Sequence, residues 1–178
     1  MLPGSVRHFI GGKHVRSTLR KSYGVTDPAT GKEYAQVEVG LGADINQAVL
    51  AALSALEAGP WHGMPAPERA LILRAFADAI GERAGDIAAA EARGGLPVAG
   101  AGERAAQASD VFRSAAGLIA ERSAAGAPLA PGRPGHVLSR PAGVAGLLTS
   151  WRTPFLSQAR AVAPALAAGA AIVLKPDE

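Results

Sequence analysis

Cysteine is missing from all 178 residues, which excludes disulfides, a thiolate zinc site and any cysteine nucleophile within them. This fits a reducing compartment, and with no signal peptide opening the sequence the cytoplasm is the expected location. Aromatic residues are scarce at 4%, so the core has to be assembled from small side chains that each remove little area from water, and low stability is expected. Long apolar runs are lacking too. The longest uncharged one, residues 161–174, is too short for a membrane span and is interrupted by Pro164 and Gly169. A concentrated basic face is also absent. The net charge is +3 and the pI about 9.7, yet the arginines are scattered beside acidic residues and only residues 16–21 (RSTLRK) cluster, which reads as a solvated loop. Neither a nucleic acid nor a membrane is therefore an expected partner.

Several motifs fail by spacing. Gly11-Gly12-Lys13 lacks a phosphate loop's first glycine, since Arg7 stands there, and its hydroxyl, since His14 stands there; a hairpin turn remains. There is no GxGxxG, GxSxG or HExxH, and histidines 8, 14, 62 and 136 share no ligand spacing, so no metal site is expected.

What is present divides into three parts. Residues 1–40 read as a β-rich arm, with a hairpin around the two glycines, a turn at Asp27-Pro28-Ala29-Thr30-Gly31 and an alternating strand over 34–39. Residues 41–135 read as helices followed by a connection. Asp44 is placed as the first N-cap, with Gln47 completing a capping box, and Ile45, Ala48, Val49, Ala52, Leu53 and Leu56 form the inner face before Gly59-Pro60 stops the helix. A second helix over 67–83 is expected to turn Leu71, Ala75, Phe76 and Ala79 inward. Helices over 86–93 and 103–122 follow, then a Pro/Gly-rich connection over 124–135.

Residues 136–178 form the third part. After a short strand over 136–140, the run 144–149 (VAGLLT) has the apolar character of a strand buried on both faces. Thr153 can cap a helix with Pro154 at its first position, Pro164 should bend it, Gly169 suits its end, and residues 171–174 (AIVL) make a second strand. This is one βαβ unit. The fold class expected is α/β: an amino-terminal β-hairpin region, helices, then the first βαβ of a Rossmann-like parallel sheet left incomplete. Two parallel strands cannot bury both faces or satisfy their edges, so further chain, in this polypeptide or another, is expected to complete the sheet.

Both strands run the same way, so Thr149, Ser150 and Trp151 should share a carboxyl-edge crevice with Lys175, Pro176, Asp177 and Glu178. A lysine and a carboxylate three residues apart there could share a ribose, and the carboxylate would repel a 2′-phosphate, favouring NAD over NADP. Read alone, Lys-Pro-Asp-Glu fits a solvated turn better than a ribose site.

The ordered set Pro141-x-Gly143-Val144, Trp151, Pro154, Ala163-Pro164-Ala165-Leu166-Ala167-Ala168-Gly169 and Lys175-Pro176-x-Glu178 resembles the NAD-dependent aldehyde dehydrogenases. His8-Phe9-Ile10-Gly11-Gly12-Lys13, Asp27-Pro28-Ala29-Thr30-Gly31 and Pro67-Glu68-Arg69-Ala70 resemble segments that the family carries upstream, so nearly the whole chain is covered, but only by the first part of a family member. The resemblance implies oxidation of an aldehyde to a carboxylate with NAD. It also implies that Lys175 and Glu178 bind the adenosine ribose, and that Thr149, Ser150 and Trp151 line the cofactor cleft. Partners implied are the nicotinamide cofactor and a second copy or full-length family member, met through an oligomerisation arm near residues 136–140.

Three positions depart from the family. Arg152 stands where the family has an oxyanion-binding asparagine, Ala161 where it has a lysine, and Leu96 where a basic residue precedes the proline of Gly95-Leu96-Pro97. The family's cysteine nucleophile and general-base glutamate would lie beyond these residues, so no catalytic residue is assigned and inactivity alone is expected. The alternative reading is a non-catalytic paralogue serving as an NAD-binding or oligomerisation module.

Overall fold

A computed structural model describes residues 4–122 and 140–176, and within them the chain is mixed α/β. The strand expected over 136–140 and the connection over 124–135 fall on residues outside that range, except Arg140, which is not in a strand.

The amino-terminal part holds β1 (Ser5–Val6), β2 (His8–Ile10), β3 (Lys13–Val15), β4 (Ser22–Thr26) and β5 (Glu33–Glu38). β2 and β3 form the two-residue hairpin, Ile10 opposite Lys13, because Gly11 and Gly12 accept the positive φ values of 58° and 77° that such a turn needs. β5 lies between β1, parallel to it, and β4, antiparallel. Asp27 builds the turn between β4 and β5, its Oδ1 accepting the Ala29 N–H at 2.8 Å while Gly31 N–H returns to the Asp27 carbonyl at 2.8 Å. The basic cluster at 16–21 is a loop with Arg16, Arg20 and Lys21 exposed.

That loop is fastened to the first helix, α1 (Gly42–Ala58), through Asp44. The buried carboxylate accepts the Thr18 hydroxyl at 2.6 Å, the Thr18 N–H at 2.9 Å and the Leu41 N–H at 2.9 Å. Asp44 is thus the third residue of the helix, not its N-cap, and Gln47 takes no part in the capping. The position before the helix is Leu41, which has no side-chain acceptor, so capping comes from within the first turn. These bonds, the Thr18 hydroxyl first, lower the Asp44 pKa from 3.8 to about 2. A carboxyl depressed in the fold contributes stability that is fully present above 3.8 and lost as pH falls through about 2. Acid unfolding followed by circular dichroism should therefore show a loss in that window that Asp44→Asn, itself less stable at neutral pH, does not show. Matching acid profiles for the two proteins would refute the role given to Asp44.

The helices α2 (Pro60–Gly63), α3 (Ala66–Glu82), α4 (Ala84–Arg93) and α5 (Val98–Arg122) follow. α5 starts five residues before its expected position, running through Gly100 and Gly102, because packing overrides the weak propensity of glycine. The core joins α3 and α5 to α6 (Pro154–Ala167). Its members are Ala70, Leu73, Ala77 and Ile80 of α3, Ala108, Phe112, Ala115 and Ala116 of α5, and Leu156, Ala159, Ala163 and Ala167 of α6. Alanine dominates, as the shortage of aromatics requires.

The inner face of α3 differs from the expected one. Leu71, Ala75, Phe76 and Ala79 are exposed, and the buried stripe is 70, 73, 77 and 80. The larger side chains drew the expectation, but a helix pressed closely against alanines presents its own small residues. Phe76 still stacks on Phe112, with ring centroids 5.6 Å apart, at the rim of that interface. On α1, similarly, Ala52 is buried and Ala48, Val49 and Leu56 are half-buried, while Ile45 and Leu53 are exposed.

The carboxyl-terminal part is β6 (Val144–Leu148), α6 and β7 (Ala171–Lys175). The two strands are parallel, with Val144 opposite Ala171 and Leu148 opposite Lys175, and α1 and α6 both pack on them. α6 runs through Pro164 and ends in a paired carbonyl cap: Gly169 N–H reaches Leu166 at 2.8 Å and Ala170 N–H reaches Ala165 at 3.1 Å, with Gly169 at φ 84°.

Candidate functional site

The register of β6 and β7 decides which residues share an edge. Because Leu148 pairs with Lys175, the turn beginning at Thr149 leaves β6 at the same end where Pro176 leaves β7. Of the residues expected in the crevice, Thr149, Ser150, Trp151, Lys175 and Pro176 are thereby brought to one carboxyl edge. Asp177 and Glu178 lie outside the described residues. β7 ends at Lys175, one residue later than expected, and Lys175 and Pro176 are exposed.

The turn from Thr149 to Thr153 has internal order. Ser150 Oγ accepts the Arg152 N–H at 3.3 Å, and the Ser150 carbonyl accepts the Ser157 hydroxyl at 3.1 Å, tying the turn to the first turn of α6. Trp151 is 66% exposed, and the Arg152 guanidinium lies 5.5 Å from its ring centroid in a cation–π pair. Thr149 Oγ1 is buried and has no hydrogen-bond partner in the fold. A buried hydroxyl of that kind costs free energy unless something meets it.

The N-terminus of α6 departs from the expectation that Thr153 caps it. The Thr153 hydroxyl makes no cap bond, although Pro154 does occupy the first helical position. The Phe155 N–H is instead taken by Glu91 Oε1 of α4, at 3.1 Å. Glu91 is only 5% exposed. A glutamate on the same helical face as Ile87 and Ala88, in the otherwise apolar stretch 87–92 (IAAAEA), was the one available signal for this role. Among the described residues no group of histidines and carboxylates is arranged to hold a metal ion, and no helix is long and apolar enough to cross a membrane.

A helix-covered parallel pair with polar clusters at its carboxyl edge is the geometry in which open α/β sheets take up nucleotides. The aldehyde dehydrogenase family profile matches residues 14–178, and the chain belongs to that family. It is 36% identical over 187 aligned residues to the mitochondrial benzaldehyde dehydrogenase of Antirrhinum majus, covering 99% of this chain and 34% of that protein. It is 35% identical to the 2-hydroxymuconic semialdehyde dehydrogenase of Pseudomonas putida, covering 97% and 37%. An aldehyde dehydrogenase of Bacillus cereus, solved as an NAD+ complex, superposes with a TM-score of 0.90 at 32% identity, over 97% of this chain and 35% of that one. The chain thus spans about a third of the length of these relatives.

Proposed function

We propose that this chain supplies the nicotinamide-cofactor side of an NAD-dependent protein that oxidises an aldehyde to a carboxylate. The observation that carries the reading is the parallel β6–β7 pair, whose register sets Thr149, Ser150 and Trp151 at one edge with Lys175 and Pro176. The orphaned Thr149 hydroxyl and the exposed Trp151 fit a polar, partly aromatic ligand there. In this reading Lys175 donates to a hydroxyl of the adenosine ribose and Glu178 accepts from it, with Pro176 and Asp177 belonging to the same cofactor-binding stretch. The carboxylates after the lysine disfavour a 2′-phosphate, so NAD is preferred to NADP. When bound, the cofactor would accept a hydride; the residues of this chain bind and orient it.

Residues 1–40 serve as the arm, 41–135 as the helical support and 136–178 as the opening βαβ of the cofactor domain. The cysteine nucleophile is supplied outside these residues, and the chain works in the cytoplasm with a second copy or a longer family member. Arg152 and Ala161, standing in place of the family's asparagine and lysine, favour a second reading: a non-catalytic paralogue that keeps the cofactor crevice or the oligomerisation surface.

Titration calorimetry tests the cofactor site. NAD should bind, NADP should bind more weakly, and Lys175→Ala should weaken NAD by about tenfold to a hundredfold through loss of a charged hydrogen bond. Unchanged affinity in Lys175→Ala would remove the ribose assignment. Aldehyde oxidation by this chain alone, above a no-protein control, would overturn the absence of catalytic residues.

A further inference from the structure

We propose that Glu91 is a positioning residue for the cofactor crevice, acting from outside it by fixing the point at which α6 begins. This rests on the cofactor reading above for its functional consequence, though not for its structural content.

Three observations carry it. Glu91 belongs to α4, yet its Oε1 accepts the N–H of Phe155, the second residue of α6, at 3.1 Å. It is one of the few charged or polar residues among the described ones that are buried, and its Oε2 has no partner in the fold. A buried carboxylate with half of its acceptors unmet is destabilising unless the bond it does make is worth keeping. Finally, the Thr153 hydroxyl leaves the first turn of α6 uncapped, so the tether from α4 replaces the local one.

The geometry points to a two-sided clamp on the turn after β6. From within, the single proton of the Ser157 hydroxyl is shared between the carbonyls of Ser150, at 3.1 Å, and Pro154, at 3.0 Å. From without, Glu91 holds Phe155. The inner bonds couple the turn to α6, but they do not set where the two sit relative to the helical core. The body of α6 is seated there by Leu156, Ala159, Ala163 and Ala167, and Glu91 adds the bond that holds its first turn against α4, which packs on α5. Removing it frees the first turn of α6 and the turn after β6 to move against the seated helix, carrying Trp151 and its Arg152 partner with them.

The test uses the full chain and its Glu91→Ala, Glu91→Gln and Glu91→Asp variants, in a Trp61→Phe background that leaves Trp151 as the single tryptophan. Trp151 emission and anisotropy, amide exchange at Phe155 and NAD affinity are measured on each. Glu91→Gln keeps an acceptor at the same reach and should behave as the parent does. Glu91→Ala should speed Phe155 exchange by about tenfold or more, lower Trp151 anisotropy and weaken NAD by about tenfold. Glu91→Asp, a methylene short, should shift the same signals in the same direction, and it decides the matter should the alanine variant not fold. Trp151 and Phe155 signals unchanged in the aspartate and alanine variants would overturn the proposal, as would a glutamine variant as impaired as alanine. If the parent chain binds no NAD, the cofactor reading fails, while the Trp151 and Phe155 comparisons still decide the role of Glu91.

Discussion

Replacing Ala77 by leucine is expected to cost about 1–3 kcal/mol or more and to leave much of the chain unfolded, whereas the same change at Ala75 should alter stability by less than about 0.5 kcal/mol. The two positions lie on one helix, two residues apart, and differ in what they face. Ala77 is fully buried among Leu73, Ala108 and Phe112, and its carbonyl accepts the Ser109 hydroxyl at 2.8 Å from α5. Three added carbons there would push α3 off α5 and break that buried bond. Ala75 is exposed. Urea unfolding of the parent and both variants compares them directly, and equal midpoints for the two leucine variants would mean that α3 and α5 are not in close contact. Loosely packed sites absorb volume, but an interface made mostly of alanine has few long side chains that could move aside.

A second pair of substitutions should give effects of opposite sign. Gly169→Ala is expected to destabilise by roughly 1–3 kcal/mol. Gly169 holds a φ of 84° in the cap of α6, and a Cβ there would lie 2.9 Å from Pro141 Cγ and 3.6 Å from Arg69 Cζ. The strain would pass to the start of the β6–β7 pair, where Ala171 N–H bonds the Gly143 carbonyl at 3.2 Å. Gly102→Ala, within α5, adds a Cβ into open space at ordinary helical geometry and should stabilise by about 0.5–1 kcal/mol. Thermal melts of the two variants settle the signs, and a Gly169→Ala protein as stable as the parent would show that the cap and Pro141 can yield.

Local chemistry was legible wherever a single residue type imposes a conformation. Gly11-Gly12 forced the hairpin, Asp27 to Gly31 the turn, Gly59-Pro60 the end of α1, and Pro154 and Gly169 the bounds of α6. The parallel pair was legible from two short apolar runs separated by a helix, and its register then carried Thr149, Ser150, Trp151, Lys175 and Pro176 to one edge. Helix faces were less legible. Where alanine fills most positions, the apolar pattern of α3 fits several faces, and the bulkier Leu71 and Phe76 pointed to the wrong one. Contacts between distant segments were not legible at all. Asp44 meets Thr18 and Glu91 meets Phe155 across 26 and 64 residues, and only the tertiary fold brings those partners together.

The Glu91 contact has an electrostatic consequence for how a nucleotide could be held. Aligned peptide dipoles give the N-terminus of a helix about half a positive charge, which dinucleotide-binding folds commonly direct at a diphosphate. In α6 that partial charge already faces a carboxylate of the protein itself, at the Phe155 N–H. A diphosphate arriving at the same spot would meet a resident anion. Attraction for its charge would then have to come from full cations at the edge, and Arg152 and Lys175 are exposed there. Binding governed by exposed side-chain cations weakens with added salt much more steeply than binding to a buried helix end, so the salt dependence of nucleotide affinity would report which kind of positive charge this fold offers.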